Sequence, residues 1–238
     1  MVEDEPHWHL VLTPSSDDGS MNNVRHADLS PDKVDGHIER VLDDVSRRGA
    51  ALNWMISPLS GPPGLAERLQ GRGLTGPQMC WGMLRNVDEP VSGVADDVEI
   101  REVRQDEVDL YVEASVAGWE SPASFTDMLR QSVLAGMTHS PDSLSYFVAL
   151  RAGQPIGSAA LRLVPGSGYL VGGSVAPAHR RSGVYGALLA HRLDVLRNAD
   201  IVLASVVALA DTSGPICARH GFERVCELES WTWKSERP

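Results

Sequence analysis

The stretch with the clearest chemical potential is residues 171–193, VGGSVAPAHRRSGVYGALLAHRL. An apolar run ends before Pro177, and Arg180 and Arg181 then precede Gly183 and a helix with an apolar side. Backbone amides at a helix N-terminus bind phosphate because they lack intrahelical acceptors and lie at the positive end of the helix dipole. Arginines add charge-assisted hydrogen bonds to phosphate oxygens, and glycine permits close approach of a ligand. The sequence therefore predicts an anion-binding turn between a strand and a helix.

This turn differs from the two commonest nucleotide-binding loops. The Lys-Ser/Thr pair that follows the glycine of a Walker loop is missing. The G-x-G-x-x-G spacing of the dinucleotide fingerprint is also absent, because two arginines stand where glycines would. A phosphate-binding turn of another type remains, with an ordinary capped crossover helix as the alternative.

Hydrophobic spacing predicts the elements that position this turn in the second half of the chain. These are a strand VEIREV, a helix around Asp106–Gly118, further helix within residues 120–143, a hairpin over 145–164, the strand YLVGGSVA, a helix to about Arg197, the strand IVLASVVAL, a short helix near PICARHG and a last strand or hairpin from Phe222 to Trp233.

The first half predicts a similar order of elements. Two strands, HWHLVLTP and NNVRHADL, precede a helix over residues 30–49, which Ser30 caps and Gly49 closes. The strand AALNWMIS, the short helix PGLAERLQG and the strand PQMCWGML follow. Residues 85–97 collect Pro, Gly, Ser and acids, so we place a domain boundary there. Both segments end β, β, α, β, α, β, which suggests duplication.

Composition narrows the classes of function. The 238-residue chain has 42% hydrophobic and 22% charged residues, as globular proteins do. Its net charge of -11 disfavours nonspecific nucleic-acid binding, which depends on neutralising phosphates. Most of the excess acid lies in the first half, where it either steers a cationic substrate or forms a solvated surface. The sequence predicts a cytoplasmic protein, because its three cysteines show no pairing motif, its N-terminus is acidic and it contains no long apolar run.

The loop and its surroundings together resemble the GNAT superfamily of N-acyltransferases. The pattern V-x-P-x-x-R-x-x-G-x-G/A, followed by two leucines, is similar to the acyl-CoA-binding motif of that family. Here it consists of Val175, Pro177, Arg180 and Gly183, with Leu188-Leu189 in the helix. The order of elements over residues 97–238 also resembles the family. The resemblance implies an α/β fold with a mixed sheet, in which a catalytic domain, residues 96–238, follows a smaller related half-domain, residues 1–95, without a cofactor loop.

The resemblance also implies where acetyl-CoA, or another acyl-CoA, would bind as co-substrate. Amides of the loop would hold the pyrophosphate, and the backbone of the preceding strand would pair with the pantetheine arm. The cofactor-binding residues implied in this way are Gly173, Ser174, Val175, Arg180, Arg181, Ser182, Gly183, Val184, Tyr185 and Gly186.

The sequence departs from the family pattern at three positions. Tyr185 stands where the motif has a second small residue, so its side chain must turn away from the phosphates. Tyr169 replaces the glutamate that many members use as general base, and Cys217, four residues before Gly221, replaces the tyrosine thought to protonate the thiolate. Positioning two substrates supplies several kcal/mol of catalysis, so transfer remains feasible.

Catalytic roles can be assigned to three residues on this basis. A backbone amide near Val175 would stabilise the oxyanion, and water near Ser174 or Tyr169 would relay the proton of the amine. Cys217, with a reference thiol pKa of about 8.5, would serve as general acid; a small buried hydrophobe is the alternative. Sheet packing is the alternative for Tyr169.

Two functions are consistent with the resemblance. In the first, the chain is an N-acyltransferase, with acetyl as the expected group and an amine-bearing small molecule or peptide as acceptor, without metal, nucleic acid or membrane, as a monomer or homodimer. In the second, it is a noncatalytic acyl-CoA sensor or partner-binding module. Both need the loop from Arg180 to Gly186.

Overall fold

The computed structural model describes residues 1–13 and 16–235, and these form two compact units. Within the described residues, the first unit takes in the chain up to residue 82, residues 207–215 and the residues from 224 onwards. The second unit consists of residues 83–206 and 216–223. The chain therefore enters each unit more than once.

The first unit contains a mixed sheet with two helices. Its elements are β1 (Val2–Glu5), β2 (Trp8–Leu12), β3 (Asn22–Ala27), α1 (Val34–Arg47), β4 (Ala51–Ile56), α2 (Leu65–Gln70), most of β5 (Thr75–Asn86) and most of β11 (Glu223–Lys234). The strand order is β1-β2-β3-β4-β11-β5. β3 and β4 run parallel, with α1 as their crossover, while β11 runs antiparallel to β4.

The core of the first unit forms where α1 covers this sheet. Val34, Ile38, Val41 and Val45 recur at helical spacing and are fully buried. They pack in one cluster with alternate strand residues that include Trp54. Periodicity alone therefore fixes which side of α1 faces the sheet.

Beyond the parallel pair β3/β4, the segment that follows β4 forms backbone hydrogen bonds with the end of β3. The amide of Gly61 donates to the carbonyl of Ala27 at 2.9 Å, and the amide of Leu29 donates to the carbonyl of Gly61 at 3.3 Å. Asp28 and Gly61 form a parallel bridge at this point. Residues that follow β4 thus pair with the end of β3.

The second unit also contains a mixed sheet. Its elements are β6 (Glu99–Glu102), α3 (Val108–Trp119), α4 (Thr126–His139), β7 (Leu144–Arg151), β8 (Gln154–Val164), β9 (Ser167–Val175), α5 (Val184–Asn198), the first part of β10 (Leu203–Leu209) and the last part of α6 (Ser213–Arg219). The strand order is β10-β9-β8-β7-β6. β9 and β10 are parallel, with α5 as their crossover, and the other neighbours are antiparallel.

Two helices of the second unit cover opposite faces of its sheet. Ser158 of β8 hydrogen-bonds to Ser115 of α3, whereas a Cβ on the neighbouring Gly157 would contact Val184 and Leu188 of α5. Adjacent strand residues point to opposite faces, so α3 and α5 lie on opposite sides. The sheet is therefore buried on both faces at the level of β8.

The α/β prediction and the predicted order of elements are confirmed, with two local differences. The helix expected from Ser30 begins at Val34, because the carbonyl of Ser30 instead closes a turn with the amides of Lys33 and Val34. β1 was not expected, because its residues, VEDE, show no apolar alternation and the strand is held by its ladder to β2. Among the described residues, no helix is both long and apolar enough to span a bilayer.

Candidate functional site

β9 contains an irregularity close to its C-terminal end. Its register against β8 pairs Ser158 with Ser174 and Ala160 with Val171, so β9 has one more residue than β8 between these pairs. Gly172 adopts a left-handed conformation with φ of 59°. This is a β-bulge, which locally changes where backbone and side chains point.

The bulge separates two environments. A Cβ on Gly172 would lie 3.9 Å from the Tyr111 hydroxyl of α3, whereas a Cβ on Gly173 would lie 3.1 Å from the Tyr185 ring of α5. The two consecutive glycines therefore face groups on opposite sides of the sheet.

The ladder between β9 and β10 is short. Gly168 pairs with Ala204 and Tyr169 pairs with Ser205, and the described strands register no further pair. The remainder of β9, Leu170–Val175, keeps its partner β8 on the other edge. Its free edge offers backbone donors and acceptors to an extended ligand, as strand addition requires.

The turn after β9 is fixed by Arg180. Residues Pro177–His179 form a 3-10 turn. The Nε of Arg180 donates to the carbonyl of Val175 at 3.2 Å, and its Nη2 donates to the carbonyl of Gly118 at 3.0 Å and to Glu120 at 2.9 Å. Arg180 thus joins the end of β9 to the end of α3. Both arginines are exposed, but the guanidinium of Arg180 is engaged with the protein, whereas Arg181, with φ of 62°, follows it in a left-handed conformation.

α5 begins immediately after this turn. Gly183 is its N-cap, in a left-handed conformation with φ of 80° that favours glycine. The helix is anchored by buried apolar residues that include Val184, Leu188 and Leu189. Its first-turn amides, from Val184 to Gly186, have no intrahelical acceptors, and no side chain caps them. This donor set fits a phosphate or pyrophosphate group.

The segment that precedes β6 packs against this turn. The amide of Ala95 donates to the carbonyl of Gly183 at 3.2 Å. A Cβ on Gly183 would lie 2.7 Å from that amide nitrogen, and a Cβ on Gly186 would lie 2.7 Å from the carbonyl oxygen of Gly93. Both glycines are therefore required by the close approach of the protein's own backbone.

Tyr185 turns inwards, as its position in the motif predicts. Its hydroxyl lies 3.7 Å from the Sγ of Cys217 in α6, and its ring packs against Gly173 and His220. Burial raises the pKa of the Tyr185 hydroxyl and also that of the Cys217 thiol, so both keep their protons at neutral pH. The structure thus places two protonated groups behind the bulge of β9.

Arg192 lies beneath the same groups. Its side chain is fully buried, with Nε donating to the carbonyl of Leu188 at 3.1 Å and Nη1 to that of Ala160 at 3.2 Å. Within the described residues it forms no ion pair with a carboxylate. Burial lowers the pKa of the guanidinium, and the nearby groups of Tyr185, Tyr111 and Cys217 oppose that shift. The site therefore has a buried cation.

Three serines form a polar cluster on the α3 side of β9. The Oγ of Ser158 lies 3.0 Å from the Oγ atoms of both Ser115 and Ser174, and all three side chains are buried. Tyr169 lies in the paired first part of β9, opposite Ser205 and Arg162. It is five residues from Ser174, or about 16 Å along an extended strand.

The structure therefore brings most of the predicted residues together. Gly173 to Val175, the turn from Arg180 to Gly186 and Cys217 form one region, while Tyr169 lies further along β9. Sequence reasoning missed Arg192, because a helical arginine gives no sign of burial. It also missed Arg151, whose guanidinium lies 3.5 Å from the Oγ of Ser182. No group of three or more His, Cys, Asp or Glu side chains that could hold a metal occurs among the described residues.

Comparison with solved structures identifies similar folds at low sequence identity. A functionally unknown conserved protein from Staphylococcus epidermidis matches with a TM-score of 0.74 and 15% identity, over 98% of this chain and 93% of that one. A GCN5-related N-acetyltransferase from Kribbella flavida matches with a TM-score of 0.69 and 16% identity, over 98% and 88%. A tandem GNAT protein from the clavulanic acid biosynthesis pathway matches with a TM-score of 0.64 and 15% identity, over 97% and 79%.

The sequence itself provides the family assignment. Comparison with curated proteins finds no match. The model of the Acetyltransferase (GNAT) family matches residues 102–222, which is half of the chain and contains β9, the turn from Arg180 to Gly183 and α5. Members of this family transfer acetyl groups from acetyl-CoA to amines. The chain belongs to the GNAT family of acetyltransferases.

Proposed function

We propose that the protein is an acyl-CoA-dependent N-acyltransferase, with acetyl as the transferred group. The observation that carries this proposal is the continuity between the free edge of β9 and the amide-lined turn at Gly183. An acyl-CoA has an extended, amide-containing arm joined to a pyrophosphate, and these two features are matched by a strand edge and a helix N-terminus.

The cofactor-binding residues follow from that match. The amides from Ser182 to Gly186 hold the pyrophosphate, and Arg181 adds charge from an exposed position. The backbone from Gly173 to Val175 pairs with the pantetheine arm, which brings the thioester beside the bulge. An amide near Val175 then stabilises negative charge on the thioester carbonyl oxygen.

The reaction is a direct transfer. The acceptor nitrogen forms a bond to the thioester carbon, the carbon–sulfur bond breaks, the amine loses a proton, and the departing sulfur gains one. Cys217, whose thiol stays protonated because it is buried, is the proposed proton donor. Water held near Ser174 or Tyr169 takes the proton from the amine.

The first half of the chain has a different proposed role. We assign residues 1–95 to a degenerate GNAT-like half-domain without a cofactor site and residues 96–238 to the catalytic domain. Support comes from the parallel pair β3/β4, where Gly61 bonds to Ala27 and Leu29 at the position that a pantetheine arm would need. The turn before α1 also lacks a glycine N-cap, since Lys33 occupies that position.

The acceptor is an amine that approaches from the α3 side of the turn. Trp119, at the end of α3, is 58% exposed and lies next to Gly118, which lies against Ser174. An exposed aromatic ring beside a reaction site suits an acceptor with an apolar or cationic body. A panel of arylalkylamines, polyamines and peptides, assayed by release of free CoA thiol, tests this class.

The first experiment is calorimetric titration with acetyl-CoA. A glutamate at position 183 would strain the backbone, because Gly183 has positive φ and touches Ala95. Ser182→Glu is a cleaner change, since this side chain is exposed and adds negative charge beside the amides. Ser132→Glu, on an exposed position of α4, is the matched control.

The wild type and the Ser132→Glu control should bind acetyl-CoA, and Ser182→Glu should bind at least tenfold more weakly, because like charges now meet in the turn. Binding without thiol release across the amine panel would favour a noncatalytic acyl-CoA sensor. If the wild type binds neither acetyl-CoA nor longer acyl-CoAs, both functions are refuted.

A further inference from the structure

Arg151 borders the anion-binding turn from the end of β7. It is the last residue of that strand, just before the tight turn at Ala152 and Gly153. Its Nη1 lies 3.5 Å from the Oγ of Ser182 and 3.3 Å from the Nδ1 of His179. Two residues of the turn thus contact one guanidinium that the loop motif does not contain.

Asp97 is the counter-ion of Arg151. Its carboxylate accepts a hydrogen bond from Nη2 at 2.9 Å, and its side chain is 61% exposed. The residues just before it are seated on the start of α5 through the Ala95 amide and the Gly93 carbonyl. The backbone of this segment therefore holds a carboxylate next to the turn.

The guanidinium of Arg151 has a hydrogen-bond donor that is not used. Its Nε is buried and has no hydrogen-bond partner among the described residues. Arg180, which lies in the turn itself, already donates hydrogen bonds to two backbone carbonyls and to Glu120. Besides its two contacts with the turn, Arg151 is thus held by one exposed carboxylate, that of Asp97, which an anionic ligand can displace.

We propose that Arg151 binds a phosphate group of the acyl-CoA and that Asp97 occupies its place in the ligand-free protein. This inference rests on the proposed function. Carboxylate and phosphate present similar oxygen pairs to the planar fork of arginine, so one can replace the other without moving the strand. Asp97 then acts as an internal competitor that lowers the affinity of the protein for acyl-CoA.

The test compares two substitutions with opposite expected effects. Arg151→Gln removes the phosphate ligand and should weaken CoA binding about tenfold, as loss of a charge-assisted hydrogen bond does. Asp97→Asn removes the competitor and should tighten CoA binding by about threefold, because exposed ion pairs are weak. Affinities are measured by calorimetry with free CoA and, in parallel, with dephospho-CoA.

A second exposed ion pair provides matched controls. Arg104 and Asp106 are bonded at 3.4 Å beyond the other end of β6, so Arg104→Gln and Asp106→Asn make the same charge changes away from the turn. Both controls should bind CoA as the wild type does. Arg151→Lys keeps the charge without the fork and should give intermediate affinity, provided its thermal transition matches that of the wild type.

The outcomes separate this inference from the proposed function. A wild type that binds CoA, with Arg151→Gln and Asp97→Asn indistinguishable from their controls, would overturn only the role of Arg151. A wild type that binds no CoA would overturn both. An effect of Arg151→Gln that vanishes with dephospho-CoA assigns the 3′-phosphate, and an effect that persists assigns the pyrophosphate; either result supports the inference.

Discussion

The close approach of α3 to the end of β9 depends on Gly118. A Cβ at this position would lie 2.8 Å from the Cβ of Ser174 and 3.1 Å from the amide nitrogen of Val175. Neither atom can move by rotation of a side chain, because one is fixed by the backbone and the other is part of it. Gly118→Ala should therefore push the helix away from the strand.

The size of the effect can be worked out from two opposing contributions. Alanine in place of a helical glycine stabilises by about 1 kcal/mol, whereas overpacking a tight contact costs about 1–3 kcal/mol. Because the contacts at Gly118 involve fixed atoms, we expect the upper part of that cost, about 2–3 kcal/mol, and hence a net loss of about 1–2 kcal/mol. Gly36→Ala in α1 is the control, since a Cβ there meets nothing within 4 Å and should stabilise by about 0.5–1 kcal/mol.

Urea unfolding followed by circular dichroism measures both variants. Gly118 lies in the second unit and Gly36 in the first, so each change should shift the transition of its own unit. Gly118→Ala should also weaken acetyl-CoA binding, because Ser174 and Val175 belong to the proposed site. The reasoning is refuted if Gly118→Ala unfolds at the same urea concentration as the wild type or at a higher one.

Two further predictions concern the groups behind β9. Tyr185→Ala should lower the free energy of unfolding by about 3–4 kcal/mol, because it leaves a cavity. Adding Cys217→Tyr should recover part of that loss, because the new ring fills the space from α6. No recovery in the double variant would contradict this. Burial and the charges of Arg85 and Arg219 lower the pKa of His220 in the folded protein. As the pH falls through about 6.5, this histidine is therefore protonated in the unfolded chain before it is protonated in the folded one, and the free energy of unfolding declines. In His220→Gln the urea midpoint should change less between pH 7.5 and 5; an unchanged pH dependence would exclude this histidine as a source of it.

The order of elements and the turn itself could be predicted from the sequence because local patterns determine them. The apolar stripe of α1 specifies its buried face, and the two β-rich runs on either side of Ala152-Gly153 mark the hairpin of β7 and β8. Gly183 marks a left-handed N-cap that few other residues tolerate. The inward turn of Tyr185 also followed from the sequence, since a large side chain cannot share the amide surface with phosphates.

The contacts around the turn could not be predicted in the same way. Arg180 was expected to face phosphate, but its guanidinium is engaged by the nearby Val175 and by Gly118 and Glu120, which are about 60 residues away in sequence. The contact of Gly93 with α5 depends on how a segment without periodicity crosses a helix. Such long-range approaches are set by tertiary packing, which single-sequence patterns do not record.

The two unusual positions of the motif become one feature once the structure is considered. Tyr185 has a ring where the family pattern has a small residue, and Cys217 has a small side chain where the family pattern has a ring. The hydroxyl of Tyr185 lies 3.7 Å from the Sγ of Cys217, so an aromatic ring from α5 stands beside the position that the family pattern fills from α6. Its hydroxyl points to the thiol, and the buried Arg192 lies beneath both. A cation without a carboxylate partner is costly to bury, and it favours negative charge on whatever group approaches it. In the proposed mechanism, this exchange moves the proton donor of the site from a tyrosine to the thiol of Cys217, while the ring of Tyr185 keeps the space behind β9 filled.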